Sequence, residues 1–241
     1  MISSSKNFLF LHWPKTGGTS VRDALLPHAQ TRYRIAYAHP WFYPLRLAFP
    51  QKFSIGNRVQ LITGLPPHAP LNAMESKFGR EQLEPYFKFS FTRNPFTRTW
   101  SHFQHIRRIN THPLHSRPEG QTFGAYVNHL CQPGIQTQTN FTSWIGEKLP
   151  ALDFCGCFER FKEDAAVLAN ILKTPRLARI KHLNKGTDVQ KNSPDFRALF
   201  GDNLNRFIDH YRDDFDSFGY SCDPDKARLP AGNAPIPREK K

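Results

Sequence analysis

Apolar positions along this chain fall into short dense runs separated by longer stretches of helical spacing. Asn7 to Trp13 is almost wholly apolar and is ended by Pro14 and Gly17-Gly18, the pattern of a parallel strand buried on both faces. Ser20 then opens a helix with Val21, Ala24 and Leu25 on one face, and Pro27 stops it. Val59-Gln60-Leu61-Ile62-Thr63 predicts a second strand, broken by Gly64 and Pro66-Pro67. Phe87, Phe89 and Phe91 alternate with Lys88, Ser90 and Thr92, a third strand running into Arg93. A helix follows at once: Asn94 suits the N-cap, Pro95 the first helical position, and Phe96, Trp100, Phe103 and Ile106 recur at helical spacing. A fourth strand is expected over Leu152 to Phe158, then a helix from Phe161 with Ala165, Leu168 and Leu172 on one stripe. Ser193-Pro194 opens a last helical region whose buried face is Leu204, Phe207, Ile208, Tyr211 and Phe215. Residues 38–57 hold Pro40, Pro44, Pro50 and many aromatics without a clean period and read as an irregular insertion; 111–121 read as a loop. Strands alternating with helices predict an α/β fold around a parallel sheet, one domain over 1–222, followed by a disordered basic, Pro-rich tail at 223–241.

Composition narrows this little further. Twenty-one Phe and four Trp supply enough apolar area for a core in a chain of 241 residues without disulfides or a structural metal. The four cysteines make no CxxC pair and read as reduced thiols, hence a cytoplasmic setting. No apolar run is long enough to span a bilayer. The charge distribution matters more. Thirty-three Lys and Arg oppose 20 Asp and Glu, a formal +13, and there is no acidic residue between Asp23 and Glu75 or between Glu84 and Glu119. Such a surface suits anions. No nucleic-acid-binding motif accompanies it, so nucleic acid is not the expected partner.

Two strand-to-helix junctions carry the chemistry. Pro14-Lys15-Thr16-Gly17-Gly18-Thr19-Ser20 combines glycines that let backbone N–H groups approach an anion, a helix N-terminus, three hydroxyls and a compact cation. A Walker loop would place Lys after the glycines; here it precedes them, and no expected strand ends in the Asp that would help hold magnesium. The second junction is Arg93-Asn94-Pro95-Phe96-Thr97-Arg98-Thr99-Trp100-Ser101. Arg93 at the strand end can fork onto a phosphate, and Ser101 lies two turns up the helix, where a ligand along its flank would reach it.

On these residues the chain resembles the sulfotransferases that use 3′-phosphoadenosine 5′-phosphosulfate (PAPS), in particular the carbohydrate type related to heparan-sulfate 2-O-sulfotransferase and its small bacterial relatives. FLFLHWPKTGGTS looks like the family's 5′-phosphosulfate loop and FSFTRNPFTRTWSHF like its 3′-phosphate segment, with weaker similarity through IQTQTNFTSWIG, DFCGCFERFKEDAAVLANIL and HLNKG to YRDDFDSFGY. The resemblance implies a P-loop-like three-layer fold and in-line transfer of a sulfuryl group to a hydroxyl of a glycan or glycolipid. By position it gives Lys15 the departing bridging oxygen, Lys15, Thr16, Gly17, Gly18, Thr19 and Ser20 the 5′-phosphosulfate, and Arg93 with Ser101 the 3′-phosphate. Asn184, Lys185 and Gly186 would close over the cofactor.

An acceptor hydroxyl also needs a general base. Where relatives often carry Gly-His after the second strand, this chain has Gly64-Leu65, with His68 three residues on; His68 and His39 are the candidates. His102, His105, His112 and His115 raise a zinc reading, disfavoured because no Cys or carboxylate completes the set, and no metal is expected. Trp144 and Phe158 suit adenine stacking or, better, core packing; Glu159 and Arg160 read as helix-capping residues. Two rival functions remain: a nucleotide-dependent phosphotransferase on a related loop, and a non-catalytic protein that binds anions or nucleic acid.

Overall fold

The computed structural model describes residues 1–38, 40, 49, 54–110, 112–132, 141–145, 152–180, 194–230 and 232. Its centre is a four-stranded sheet in the order β1 (Ile2–Ser3), β2 (Phe8–Phe10), β3 (Phe87–Thr92), β4 (Phe154–Cys157). β2, β3 and β4 are parallel, in register at Phe8 with Phe87 and at Phe89 with Phe154; β1 is an antiparallel edge too short to leave a periodic signal. Among the described residues the helices of five residues or more are α1 (Gly18–Leu25), α2 (Thr31–Ala38), α3 (Ile55–Thr63), α4 (Leu71–Phe78), α5 (Pro95–Arg108), α6 (Phe123–Leu130), α7 (Phe141–Ile145), α8 (Phe161–Ile171), α9 (Phe196–Phe200), α10 (Leu204–His210) and α11 (Arg212–Phe218).

Both sheet faces are covered, which explains the unbroken apolar runs. Phe8, Phe10, Phe89, Phe91 and Phe154 point to one side and pack with Val21 and Leu25 of α1 and Phe161, Ala165 and Leu168 of α8. Leu9, Leu11, Cys155 and Cys157 point to the other, into a larger core with Phe96 and Phe103 of α5, Tyr126 of α6 and Phe207, Tyr211 and Phe215 of α10, α11 and the residue joining them. These are the three layers of a P-loop-like α/β fold. Gly156 has no side chain because Phe91 fills the space where its Cβ would stand.

Three expectations need correction. Val59–Thr63 is not a strand but the end of helix α3, whose Ser54 cap accepts the Asn57 N–H at 3.3 Å and whose exit is Gly64. The β-branched window misled because the caps, not the middle, decide the element; Arg58, Val59 and Thr63 turn inward together at helical spacing. The 111–121 loop contains a one-turn helix at Pro118–Gln121. The expected disordered tail begins as structure: Pro224–Lys226 forms a 3₁₀ turn, Ala227 is buried, and Arg197 pairs with Asp223 and Asp225 at 3.0 and 3.1 Å. Ser20 lies inside α1, which starts two residues earlier, and Pro27 ends that helix in a 3₁₀ turn at Leu26–His28. Helices α2, α4, α6 and α7 lie outside the elements that the sequence pattern predicts. Most of the 38–57 insertion, with His39, lies outside the described residues, as do Asn184, Lys185, Gly186 and most of the tail.

Candidate active site

The turn between β2 and α1 owes its shape to two left-handed residues, Lys15 at φ 69° and Gly17 at φ 81°. A Cβ on Gly17 would sit 2.7 Å from Cε2 of Phe161, and one on Gly18 would run into the His12 ring, so the loop is packed against protein on both flanks. No side chain caps α1 among the described residues, which leaves the helix N-terminus and its first amides to an anion. Thr16 is buried and its hydroxyl donates to the Trp13 carbonyl at 2.9 Å. That proton holds the turn together, so the group Thr16 offers a ligand is its backbone N–H. Ser20 is also buried, whereas Thr19 is partly open.

The second junction closes on the first. Asn94 caps α5 by accepting the Phe96 N–H at 3.0 Å, and Arg93, only 8% exposed, is held three ways: Nε donates to Thr97 Oγ1 at 3.0 Å, Nη1 donates to the Lys15 carbonyl at 3.1 Å, and the guanidinium lies 4.2 Å over the Phe158 ring. The Lys15 bond joins two segments 78 residues apart in the chain. Burial pulls the Arg93 pKa down to about 10, with Glu159 opposing, so Arg93 stays charged at neutral pH. Lys15 is half-buried, and desolvation, then Arg93, then Arg108, lower its pKa to about 8. Among the described residues no carboxylate forms an ion pair with Lys15 or Arg93. Ser101 is half-buried one turn above Thr97, on a stripe continued by His105 and Arg108.

His68 reaches the same place from the turn after α3. Its Nδ1 is 2.8 Å from the His12 carbonyl, and its ring meets the His12 ring edge-on at 4.4 Å. A carbonyl can only accept, so Nδ1 carries the proton and Nε2 keeps its lone pair. Although the residue is solvent-exposed, the protein around the ring lowers its pKa, only partly offset by the His12 bond, and Arg22 and Lys15 act in the same direction. It is therefore neutral at pH 7. The Trp144 indole donates to the His68 carbonyl at 3.1 Å, so Trp144 buttresses the turn from the core, and the Phe158 face is covered by Arg93.

Several residues of this site escaped sequence reading. Glu159, expected merely to cap a helix, accepts the Asn94 N–H at 2.9 Å through Oε1 and the Tyr220 hydroxyl and Cys157 thiol at 3.1 and 3.0 Å through Oε2. It thus anchors the start of α5 to β4 and to the C-terminal segment. His105 is driven down to about 4 by burial, with Lys15, His112, Arg108 and His68 adding to it. Its neighbours His102 and His112 stand at ring-centre distances of 6.3 Å each, and the His102 Nδ1 is 2.5 Å from the Tyr126 hydroxyl. Among the described residues no three His, Cys, Asp or Glu side chains are arranged to hold a metal. The four cysteines are free thiols. The acid-free stretch from Glu84 to Glu119 was the available signal for Arg108, since like charges crowd one helix flank there.

Among the described residues no helix is long and apolar enough to cross a membrane. Neither a curated protein nor a solved structure matched the chain. The family described as "Sulfotransferase family" matches residues 1–221, a span that takes in both strand-to-helix junctions and the whole sheet, and the chain belongs to that family.

Proposed function

We propose that this sulfotransferase uses PAPS as donor and transfers its sulfuryl group in line to a hydroxyl of a carbohydrate or glycolipid acceptor. The observation that carries the donor assignment is the Arg93 bond to the Lys15 carbonyl, which places two cations without ion-pair partners among the described residues on the rim of one uncapped helix N-terminus. A donor bearing phosphates at two ribose positions and a sulfonated 5′-phosphate fits that double cradle; a nucleoside triphosphate would concentrate its charge on one of the two. When bound, the donor supplies a sulfuryl group on a phosphate leaving group.

The chain's own residues do the rest. The Thr16–Thr19 amides and the Lys15 ammonium hold the 5′ end, Arg93 and Ser101 the 3′-phosphate, and Lys15 stands at the oxygen on which charge develops. His68 Nε2 takes the acceptor proton, its tautomer held by the His12 carbonyl and its pKa low enough to leave it neutral and basic at pH 7. The histidines and Arg108 on the neighbouring flank give the acceptor side hydrogen-bond donors suited to a polyhydroxylated molecule. The free thiols fit a reducing, cytoplasmic setting.

Calorimetric titration with adenosine 3′,5′-bisphosphate in EDTA, beside ATP with magnesium, tests the donor. Tight metal-free bisphosphate binding, lost in Arg93→Ala, is expected; preference for magnesium-ATP overturns the reading in favour of a phosphotransferase.

A further inference from the structure

Arg98 lies on α5 five residues after Arg93 but enters the core, where it is only 1% exposed. Its guanidinium sits 4.1 Å over the Trp13 ring and 5.5 Å from that of Tyr211, to which it is also hydrogen-bonded. The buried Asp214 supplies the nearby negative charge and accepts the N–H groups of Phe141 and Thr142 at 2.8 and 3.0 Å and the Thr142 hydroxyl at 3.0 Å. Trp13 in turn packs edge-on against Phe141 at 4.5 Å, and its carbonyl receives the Thr16 hydroxyl.

A buried cation is weak support for stability, because apolar residues of similar volume pack as well or better. What a guanidinium adds is a flat, oriented surface that registers on an indole. We propose that Arg98 is a positioning residue for the donor loop, acting through Trp13: it sets where the turn of residues 14–20 begins relative to α5, while Arg93 grips the same turn at the Lys15 carbonyl. Two grips, Arg93 in the junction after β3 and Arg98 on α5 itself, hold the loop and the 3′-phosphate segment at a constant separation. The proposal rests on the donor-site reading above.

A separation matters only to a ligand that spans it. Adenosine 3′,5′-bisphosphate touches both segments, whereas adenosine 5′-monophosphate lacks the group that reaches Arg93. Arg98→Lys keeps charge and loses planarity; Trp13→Phe keeps an aromatic face of smaller area. Each is expected to weaken bisphosphate binding about tenfold while changing monophosphate binding less than threefold, the size expected for one desolvated cation–aromatic contact. The double variant is expected to be no weaker than either single one, since both act through one contact. An unchanged ratio of the two affinities in both variants overturns the proposal, as does additivity in the double variant. If Arg98→Lys does not fold, Trp13→Phe decides by the same ratio. Arg93→Ala separates the two levels: if it leaves bisphosphate binding intact, the donor-site reading has failed and the positioning role falls with it; if it abolishes binding while the ratio stays unchanged in the other variants, only the positioning role has failed.

Discussion

Lys15 combines strain and charge in one residue, so replacing it should separate stability from activity. At φ 69° its side chain pays the left-handed penalty, about 1 kcal/mol relative to glycine, and its half-buried ammonium faces Arg93 and Arg108. Lys15→Ala removes the charge and keeps a Cβ at the strained position; Lys15→Gly removes both. The glycine variant should be the more stable of the two by about 1 kcal/mol, or roughly 2–4 °C in Tm for a chain of this size. Neither should fall below the parent, because each discards a desolvated cation with like-charged neighbours. Sulfuryl transfer should fall by about 10²–10³-fold in both, the usual loss when a fixed donor aimed at developing charge is deleted. Scanning fluorimetry and a donor-turnover assay read the two effects. Equal melting points for the alanine and glycine variants would refute the left-handed loop, and a glycine variant that still turns over would remove Lys15 from the transfer step.

Bisphosphate affinity should be flat near pH 7 and fall above about pH 8, by up to tenfold per unit, as the Lys15 ammonium loses its proton in the free protein; calorimetry on Lys15→Ala should show no such slope. Gly17→Ala meets both a left-handed φ of 81° and Phe161 at 2.7 Å, so it should cost about 2 kcal/mol or more in urea unfolding and lose bisphosphate binding; a neutral outcome would refute the packed loop. Glu159→Leu strands the Asn94 N–H and the Tyr220 hydroxyl and should destabilise by about 3 kcal/mol, with Glu159→Gln intermediate, measured the same way. His68→Ala should lower kcat by about 10²–10⁴-fold with bisphosphate affinity nearly unchanged; a change confined to donor affinity would assign His68 to the donor site instead.

Local signals carried much of this structure. Three of the four strands betray themselves through short-range patterns: the run ending at Pro14, the Phe87-Phe89-Phe91 alternation, and the segment before Phe161. The Asn94-Pro95 cap and the Lys15–Ser20 loop are likewise written in consecutive residues, because capping and tight turns involve groups a few bonds apart. Where the deciding residue lay outside the window, the reading failed, as when Ser54 and Gly64 made a helix of a β-branched run.

What the sequence alone determined, then, is the presence of two strand-to-helix junctions, one rich in glycine and hydroxyl residues and one opened by Arg93, on an α/β scaffold. Tertiary structure decided how they act together. The Lys15 carbonyl that orients Arg93, the His12 carbonyl that fixes the His68 tautomer and the Glu159 carboxylate that holds Asn94 lie 78, 56 and 65 residues from their partners. No propensity or spacing rule spans such separations, because these contacts exist only once both faces of the sheet are packed and the strand ends are brought side by side.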